Sequence, residues 1–317
     1  MTTSNSVDYS VSRDVIIKAA LQKIEAIGSG ETPSATQVSE ASIALNVLIK
    51  AWHGSGMPLW TTKRGYILPV SDVSSCALGA SGGHATLSYT RTTASAASSS
   101  GASTITVSST SGISNGYYIG VELDDGTMQW TTVNGAPSGN IVTLTDALTG
   151  DVASGADVYV YSTKIRQPIR VTRAYIVNNG GSEYEINVVG RTDYWALGNK
   201  SSEGTPNQVY YDNQLDLGYL YFYPRFSNGD NVIAIDFHTQ FEDFDAAGDT
   251  PDFPQAWYRP LVWGLAYELS PDYGVPLPER KMMFAEVYGP NGVFEQALNS
   301  DTQYGSVYFG VDTSGRD

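Results

Sequence analysis

Residues 253–274, FPQAWYRPLVWGLAYELSPDYG, restrict the fold of this chain more than any other stretch, because they carry helical spacing and no wet side. Leu261, Leu265 and Leu269 fall on one face, while Val262, Trp263 and Tyr267 cover the others. A surface helix keeps a polar stripe; one that is apolar nearly all round must be covered on more than one side. The cover can be the chain's own core, the usual fate of an apolar stripe. It can also come partly from a neighbouring copy or a partner, since Trp and Tyr are enriched at buried interfaces.

Composition bounds what surrounds that helix. At 317 residues the chain is long enough for two domains and a substantial core, and its 41% hydrophobic content is globular rather than disordered. Tyrosine outnumbers phenylalanine by 21 to 9, a tilt toward amphipathic rings that suits β-surfaces and partly wet interfaces. No apolar run approaches a membrane span, and MTTSNSVDYS lacks the basic and apolar regions of a signal peptide, so synthesis in a cytosol-like compartment is expected. The single cysteine, Cys76, has no partner for an internal disulfide and no metal-ligand companions. A net charge of −15 opposes tight binding to nucleic-acid phosphates. The same charge suits simple solubility, or a wall past which DNA slides without sticking. Lys164, Arg166, Arg170 and Arg173 are a local basic exception, read as a solvated strand face.

Helical spacing marks both chain ends. Ser12 stands as an N-cap before Ile16, Ala20, Ile24 and Ile27, and Gly28 closes a helix expected to run about four turns. Val38, Ala41, Leu45, Leu48 and Trp52 then step by three and four residues, a stripe suited to packing on the first helix as a hairpin. At the other end Pro271 stops the apolar helix and Pro278 starts a second, which Gly289-Pro290-Asn291-Gly292 breaks before VFEQALNS. The tail from Asp301 is short and Gly/Ser-rich, yet carries Tyr304, Val307, Tyr308 and Phe309, an extended segment suited to lying on another surface.

Between the ends the pattern is that of strands. LWTTKRGYILPV leads into a β-region, and residues 74–162 read as an insertion, because the thirty residues between Arg91 and Glu122 are all uncharged. Strands are expected at 103–107, 117–121, 127–133, 141–145 and 157–161, with turns at Asn115-Gly116, Asp125-Gly126 and Asn134-Gly135; residues 92–102 read as a floppy linker. Asp125-Gly126 fits a type I′ hairpin better than a calcium loop, since the further acidic ligands are missing. Farther on, IRVTRAYIV and YEINVVG flank Asn178-Asn179-Gly180-Gly181 as a hairpin, and YLYFYP with NVIAIDFHT makes another across Asn228-Gly229. In that last strand Ile233, Ile235 and Phe237 face inward, and Ala234, Asp236 and His238 face water. The expected fold class is α+β: a helical bundle formed from both chain ends, an antiparallel β-domain, and an inserted small β-barrel or sandwich. The expected segments are 1–73, the helical hairpin and first strand; 74–162, the insertion; 163–252, the remaining strands; 253–300, the C-terminal helices; and 301–317, the tail.

Catalytic chemistry leaves little trace. His53, His84 and His238 lie in separate segments without ligand spacing, so neither a metal site nor a cofactor is expected, and His238 reads as a surface residue. Nucleophile elbow, phosphate loop and dinucleotide fingerprint are all missing. Glu242, Asp243 and Asp245 could imitate a glycosidase pair, but carboxylates clustered in a polar loop are usually solvated.

In combination, AWHGSGMPLWTTKRGYILPV after the helical hairpin, YYDNQLDLGYLYFYP, FPQAWYRPLVWGLAYELSPDYG followed by PERK, and the tail QYGSVYF resemble the head-to-tail adaptor, or tail tubular protein, family of short-tailed bacteriophages. The resemblance covers about 1–73 and 163–317, with 74–162 as a β-insertion of the kind some members carry. It implies a structural virion protein rather than an enzyme, made in the host cytoplasm and residing at the head–tail interface with no membrane. It further implies a homo-oligomeric ring, commonly a dodecamer, clamped between the portal protein and the tail nozzle protein, through which genomic DNA passes without specific binding. By the resemblance the C-terminal helices and the tail reach the portal, and Trp257, Trp263 and Tyr267, with Tyr304, Val307, Tyr308 and Phe309, are the expected interface residues. The break at Gly289–Gly292 departs from the continuous helix of that pattern. A competing expectation, from the Ser/Thr-rich β-insertion and the tyrosine count, is an adhesin or glycan-binding β-protein; an enzyme, supported only by the loose carboxylates, is a third.

Overall fold

The structure, a computed structural model, describes residues 9–55, 61–69, 73–178, 180–225, 231–250 and 253–300. Its class is α+β. Two helices open the described chain, α1 (Arg13–Lys23) and α2 (Ala35–Ser55). Strands follow: β1 (Thr62–Ile67), β2 (Ser75–Leu78), β3 (Ala85–Thr86), β4 (Thr90–Thr93), β5 (Thr104–Thr106), β6 (Tyr118–Glu122), β7 (Met128–Thr132), β8 (Ile141–Thr143), β9 (Asp157–Tyr161), β10 (Arg170–Val177) and β11 (Glu183–Val188). A short helix α3 (Arg191–Ala196) precedes β12 (Gln208–Asn213), β13 (Gly218–Tyr223) and β14 (Val232–His238). The chain then returns to helix in α4 (Tyr258–Leu269), α5 (Leu277–Tyr288) and α6 (Val293–Ser300). Contacts divide it into two units, one joining the residues up to Trp60 with those from Phe241 on, the other being Thr61–Gln240.

In the helical unit the apolar helix is the central element. Leu261, Leu265, Ala266 and Leu269 of α4 share one buried core with Ile16, Ile17, Ala20 and Leu21 of α1 and Ala41, Leu45, Leu48 and Ile49 of α2. Met283 and Val287 of α5 and Ala297 of α6 close the same core. Since α4 packs against both α1 and α2, the stripe on α2 finds its main cover in a helix some 200 residues downstream rather than in α1 alone. Gly264 permits this approach: a Cβ there would lie 2.7 Å from Cζ2 of Trp52. Helix α1 ends one turn earlier than its spacing suggests, at Lys23, because Glu25 takes a left-handed conformation at φ 58°. Ile24 and Ile27 stay buried all the same. Asn46 of α2 holds the 241–250 loop by exchanging hydrogen bonds with the backbone of Phe244 at 3.0 and 3.3 Å.

The strand unit is built on an eight-stranded, nearly closed, barrel-like sheet in the order β2-β13-β12-β11-β10-β14-β1-β3. Its end strands, β2 and β3, are joined through Gly82 and Gly83, whose added Cβ atoms would strike Ala77 O at 2.5 Å and Cys76 Sγ at 2.8 Å. Only glycine lets the chain return so tightly and bring the two edges together, which limits free strand edge. Inside lie Leu78, Val171, Ala174, Ile186, Val209, Leu220, Phe222, Ile235 and Phe237. Strands β11 and β12 are parallel, and the crossover they require runs through α3.

Several expectations are corrected here. Strands β2 and β3, within the expected insertion, belong to the eight-stranded sheet, so the segment with its own sheets runs from β4 to β9. That segment has a four-stranded sheet, β4-β9-β6-β7, a two-stranded β5-β8, and its own core around Ile105, Val107, Ile119, Val142 and Val158. It rests on the larger sheet through an aromatic cluster in which Tyr159 and Tyr161 join Leu68 and Val232, and the Trp130 indole donates to the Pro69 carbonyl at 3.1 Å. Residues 92–102 are ordered rather than a linker: Ala94 is buried and bridges Val107, and Ser98 bridges Val152. Asp125-Gly126 does turn β6 into β7, but only Gly126 has positive φ, so the turn is not type I′; the Asp125 carboxylate accepts from Thr127 N at 2.9 Å and stabilises the bend locally. Strands β13 and β14 are not a hairpin, since β13 pairs with β12 and β2 while β14 pairs with β10 and β1; Asn228-Gly229 lies outside the described residues. Because β14 is central and covered on both faces, Ala234 is buried and His238 is only 7% exposed, where a wet face was expected.

Candidate functional site

Of the aromatic residues expected at an interface, the structure gives each a different environment. Trp257 is 2% exposed and packs with Trp52, Phe253 and Phe294, so it is a core residue with no surface left for a partner. Trp263 is half-buried, with the Lys23 ammonium 4.8 Å from its ring. It borders a cleft of about 580 Å³ shared with Glu25, Tyr273, Glu279, Met282 and Glu286. Tyr267 stands against Phe284 and Tyr288 of α5, with ring centroids 5.5 and 6.2 Å away. Tyr304, Val307, Tyr308 and Phe309 lie outside the described residues.

Uncovered apolar surface occurs elsewhere on the same unit. On α2, Ile43 and Val47, one turn apart and on the face turned from α4, are 65% and 63% exposed. On α5, Leu277, Met282 and Phe284 are also exposed. Lys281 stands between Leu277 and Phe284, and Glu40 precedes Ile43 by one turn; neither is ion-paired among the described residues. The sequence carried a signal for these residues, an i, i+4 apolar pair outside the main stripe of α2. It was masked because that stripe alone satisfied the helical pattern.

No protein-family model matches the chain, and no curated protein does.

The titratable groups are arranged for structure. Cys76 and His84 line an apolar cavity of about 190 Å³ together with Ile67, Leu68, Phe222 and Ile233. Burial pushes the Cys76 thiol up to about 12, and burial with the nearby Lys164 charge lowers the His84 imidazole to about 4. Both are therefore neutral at pH 7, and the thiol is a poor nucleophile. His84 stacks on Trp130 at 3.9 Å and hydrogen-bonds the Tyr161 hydroxyl at 2.8 Å. His238, read from sequence as a surface residue, is buried between Thr61, Thr62 and Arg170, and burial and the Arg170 charge lower its pKa. The basic run disperses rather than lining one face: Lys164 donates to the Gly82 carbonyl at 2.6 Å, Arg170 meets His238, and Arg173 meets the Tyr175 hydroxyl. Among the loop acids, Asp243 pairs with Lys50 at 2.8 Å, and an Asp249 oxygen accepts from Asp245 N and Ala246 N. Among the described residues no cluster of His, Cys, Asp or Glu could hold a metal ion, and no helix is long and apolar enough to cross a membrane.

Proposed function

We propose that this chain is the subunit of a head-to-tail adaptor ring of a short-tailed bacteriophage, joining the portal protein to the tail nozzle protein around the DNA channel. The observation that carries the proposal is the pair of unlike apolar faces on one helical unit, Ile43 with Val47 on α2 and Leu277 with Phe284 on α5. Contiguous exposed apolar surface marks an interaction site. Two different patches on one molecule suit a heterologous contact, which repeats and closes into a ring where the rotation allows. Glu40 beside one patch and Lys281 beside the other add opposite charges to the pair. The copy number of twelve rests on the resemblance alone. In this reading the helices of both chain ends act as a bundle that docks on the portal, and the strand unit contacts the tail. The segment from β4 to β9 serves as a small barrel or sandwich on the outside. The charge of −15 keeps DNA from adhering to the channel wall.

Negative-stain imaging of the purified protein, alone and mixed with portal, tests this. Closed rings or portal-bound rings are expected; persistent monomers in both samples refute it. Ile43→Glu should abolish rings at unchanged melting temperature, since a surface substitution shifts stability by only about 0.5 kcal/mol. Truncation after Asn299 should abolish portal docking with the fold intact.

A further inference from the structure

The outward face of β12 and β13 carries a feature the ring does not explain. In the antiparallel register Gln208, Tyr210 and Asp212 oppose Tyr223, Tyr221 and Tyr219, so these six side chains share one face. The other face of the same strands, with Val209, Leu220 and Phe222, lines the interior of the sheet. Four of the six positions are tyrosine: Tyr210 is buried beneath Tyr194 of α3, while Tyr219, Tyr221 and Tyr223 stay half-exposed, so α3 covers this face only in part. Helix α3 adds Trp195 to the patch, edge-on to Tyr221 at 5.9 Å, and Trp195 is 52% exposed.

The rings are held in place before any ligand arrives. Tyr210 and Tyr221 stack at 5.9 Å, and the Tyr210 hydroxyl donates to Asp212 Oδ1 at 3.0 Å. The Tyr194 hydroxyl donates to the Phe222 carbonyl at 3.3 Å and anchors α3 on the sheet. The Lys200 ammonium donates to the Leu197 carbonyl at 2.7 Å and sits 5.4 Å from the Trp195 ring. Hydrogen-bonding capacity is meanwhile left over. Among the described residues the Gln208 amide, the Arg191 guanidinium and the hydroxyls of Tyr219, Tyr221 and Tyr223 make no hydrogen bond.

We infer that this face binds a neutral oligosaccharide, with Trp195 and Tyr221 offering ring faces to the C–H faces of sugar rings and Gln208, Arg191 and the tyrosine hydroxyls meeting their hydroxyl groups. The pairing of aromatic faces with unused donors and acceptors selects a ligand that is apolar on its ring faces and polar around its rim. A pyranose is such a ligand. A nucleic-acid strand would stack equally well but needs a basic groove to follow its backbone. Here Arg191, Lys200 and Arg225 stand among Glu185, Asp193, Glu203 and Asp212, and Arg225 is paired with Glu203, so no excess of positive charge lines the face, on a chain of net charge −15. Pinned rings keep the ordering cost of binding low.

Full-length protein titrated with maltohexaose, cellohexaose and N-acetylchitohexaose, followed by tryptophan fluorescence and calorimetry, tests the inference. At least one should saturate, with Trp195→Ala weakening it about tenfold and Trp195→Phe recovering part of the loss, both at unchanged melting temperature. Leu215→Ala, an exposed change in the β12–β13 turn, should leave binding intact. The inference is overturned if none of the three saturates up to about 10 mM, if binding survives Trp195→Ala, or if a thymidine oligonucleotide perturbs Trp195 where the sugars do not. The ring and the sugar site are read out separately, so either can fail without the other.

Discussion

Replacing Gly264 by alanine sets two well-known effects against each other. An alanine in a helix interior is favoured over glycine by about 1 kcal/mol. The added Cβ of Gly264→Ala, however, would lie 2.7 Å from Trp52 Cζ2 and 3.0 Å from Leu48 Cδ2. Leu48 can yield by a rotamer adjustment; Trp52 cannot move freely. Its indole N–H donates to the Tyr288 hydroxyl at 2.8 Å, and its ring is wedged between Trp257 at 6.0 Å and Phe294 at 5.0 Å. Overpacking at such a site costs about 1–3 kcal/mol, so the net effect should be a loss of about 1 kcal/mol. Trp52→Phe removes the atoms that clash. In that background the same Gly264→Ala should stabilise by about 1 kcal/mol, a coupling of about 2 kcal/mol between the two sites. Guanidinium unfolding followed by helical circular dichroism on the four proteins of the cycle measures it. A Gly264→Ala protein more stable than the parent, or purely additive changes, would refute the reading of Gly264 as the contact that seats α4 on α2.

Trp263→Ala should cost about 1–2 kcal/mol, as fits a half-buried ring, and should also weaken ring assembly in mass photometry; lowered stability with unchanged assembly would leave Trp263 a core role only. His84 ionises near 4 when folded, against about 6.5 in an unfolded chain, so between these values the unfolded chain binds more protons. Its contribution is complete above about pH 6.5 and is lost as the pH falls through about 4. His84→Phe should therefore show a smaller fall in melting temperature on acidification, and parallel pH profiles for parent and variant would exclude this. Cys76 should resist aromatic disulfide reagents in the native protein and react promptly after denaturation, measured by thionitrobenzoate release; fast native labelling would contradict its burial.

Local patterns were legible in the sequence where one periodicity dominates. The apolar stripe of α2, the start of α5 at Pro278 and its break at Gly289 all stand where spacing and breakers put them. Pairing between distant strands was not legible. Nothing in YLYFYP and NVIAIDFHT says that β12, β11 and β10 lie between them in the sheet, because a two-residue turn signal reports only on neighbours. His238 is buried for a related reason: alternation predicts one wet face, yet on this central strand only Asp236 of that face keeps partial exposure. The exposed pair Ile43 and Val47 was visible as residues but not as a surface, since exposure depends on where α4 lies. The tyrosines of β13 stood out by number, while their common face emerged only from the register with β12.

The position of α4 in the chain also bears on synthesis. Helices α1 and α2 leave the ribosome first, but their main cover is made roughly 200 residues later, on the order of 10–40 s at ribosomal speed. Through that interval Leu45, Leu48 and Ile16 have no native lid, whereas the strand unit, which lies wholly between the two helical segments, can finish folding. The helical core is therefore closed only after α4 has emerged, with the strand unit already made. Until then the apolar stripes of α1 and α2 are the surfaces of the nascent chain most open to wrong contacts.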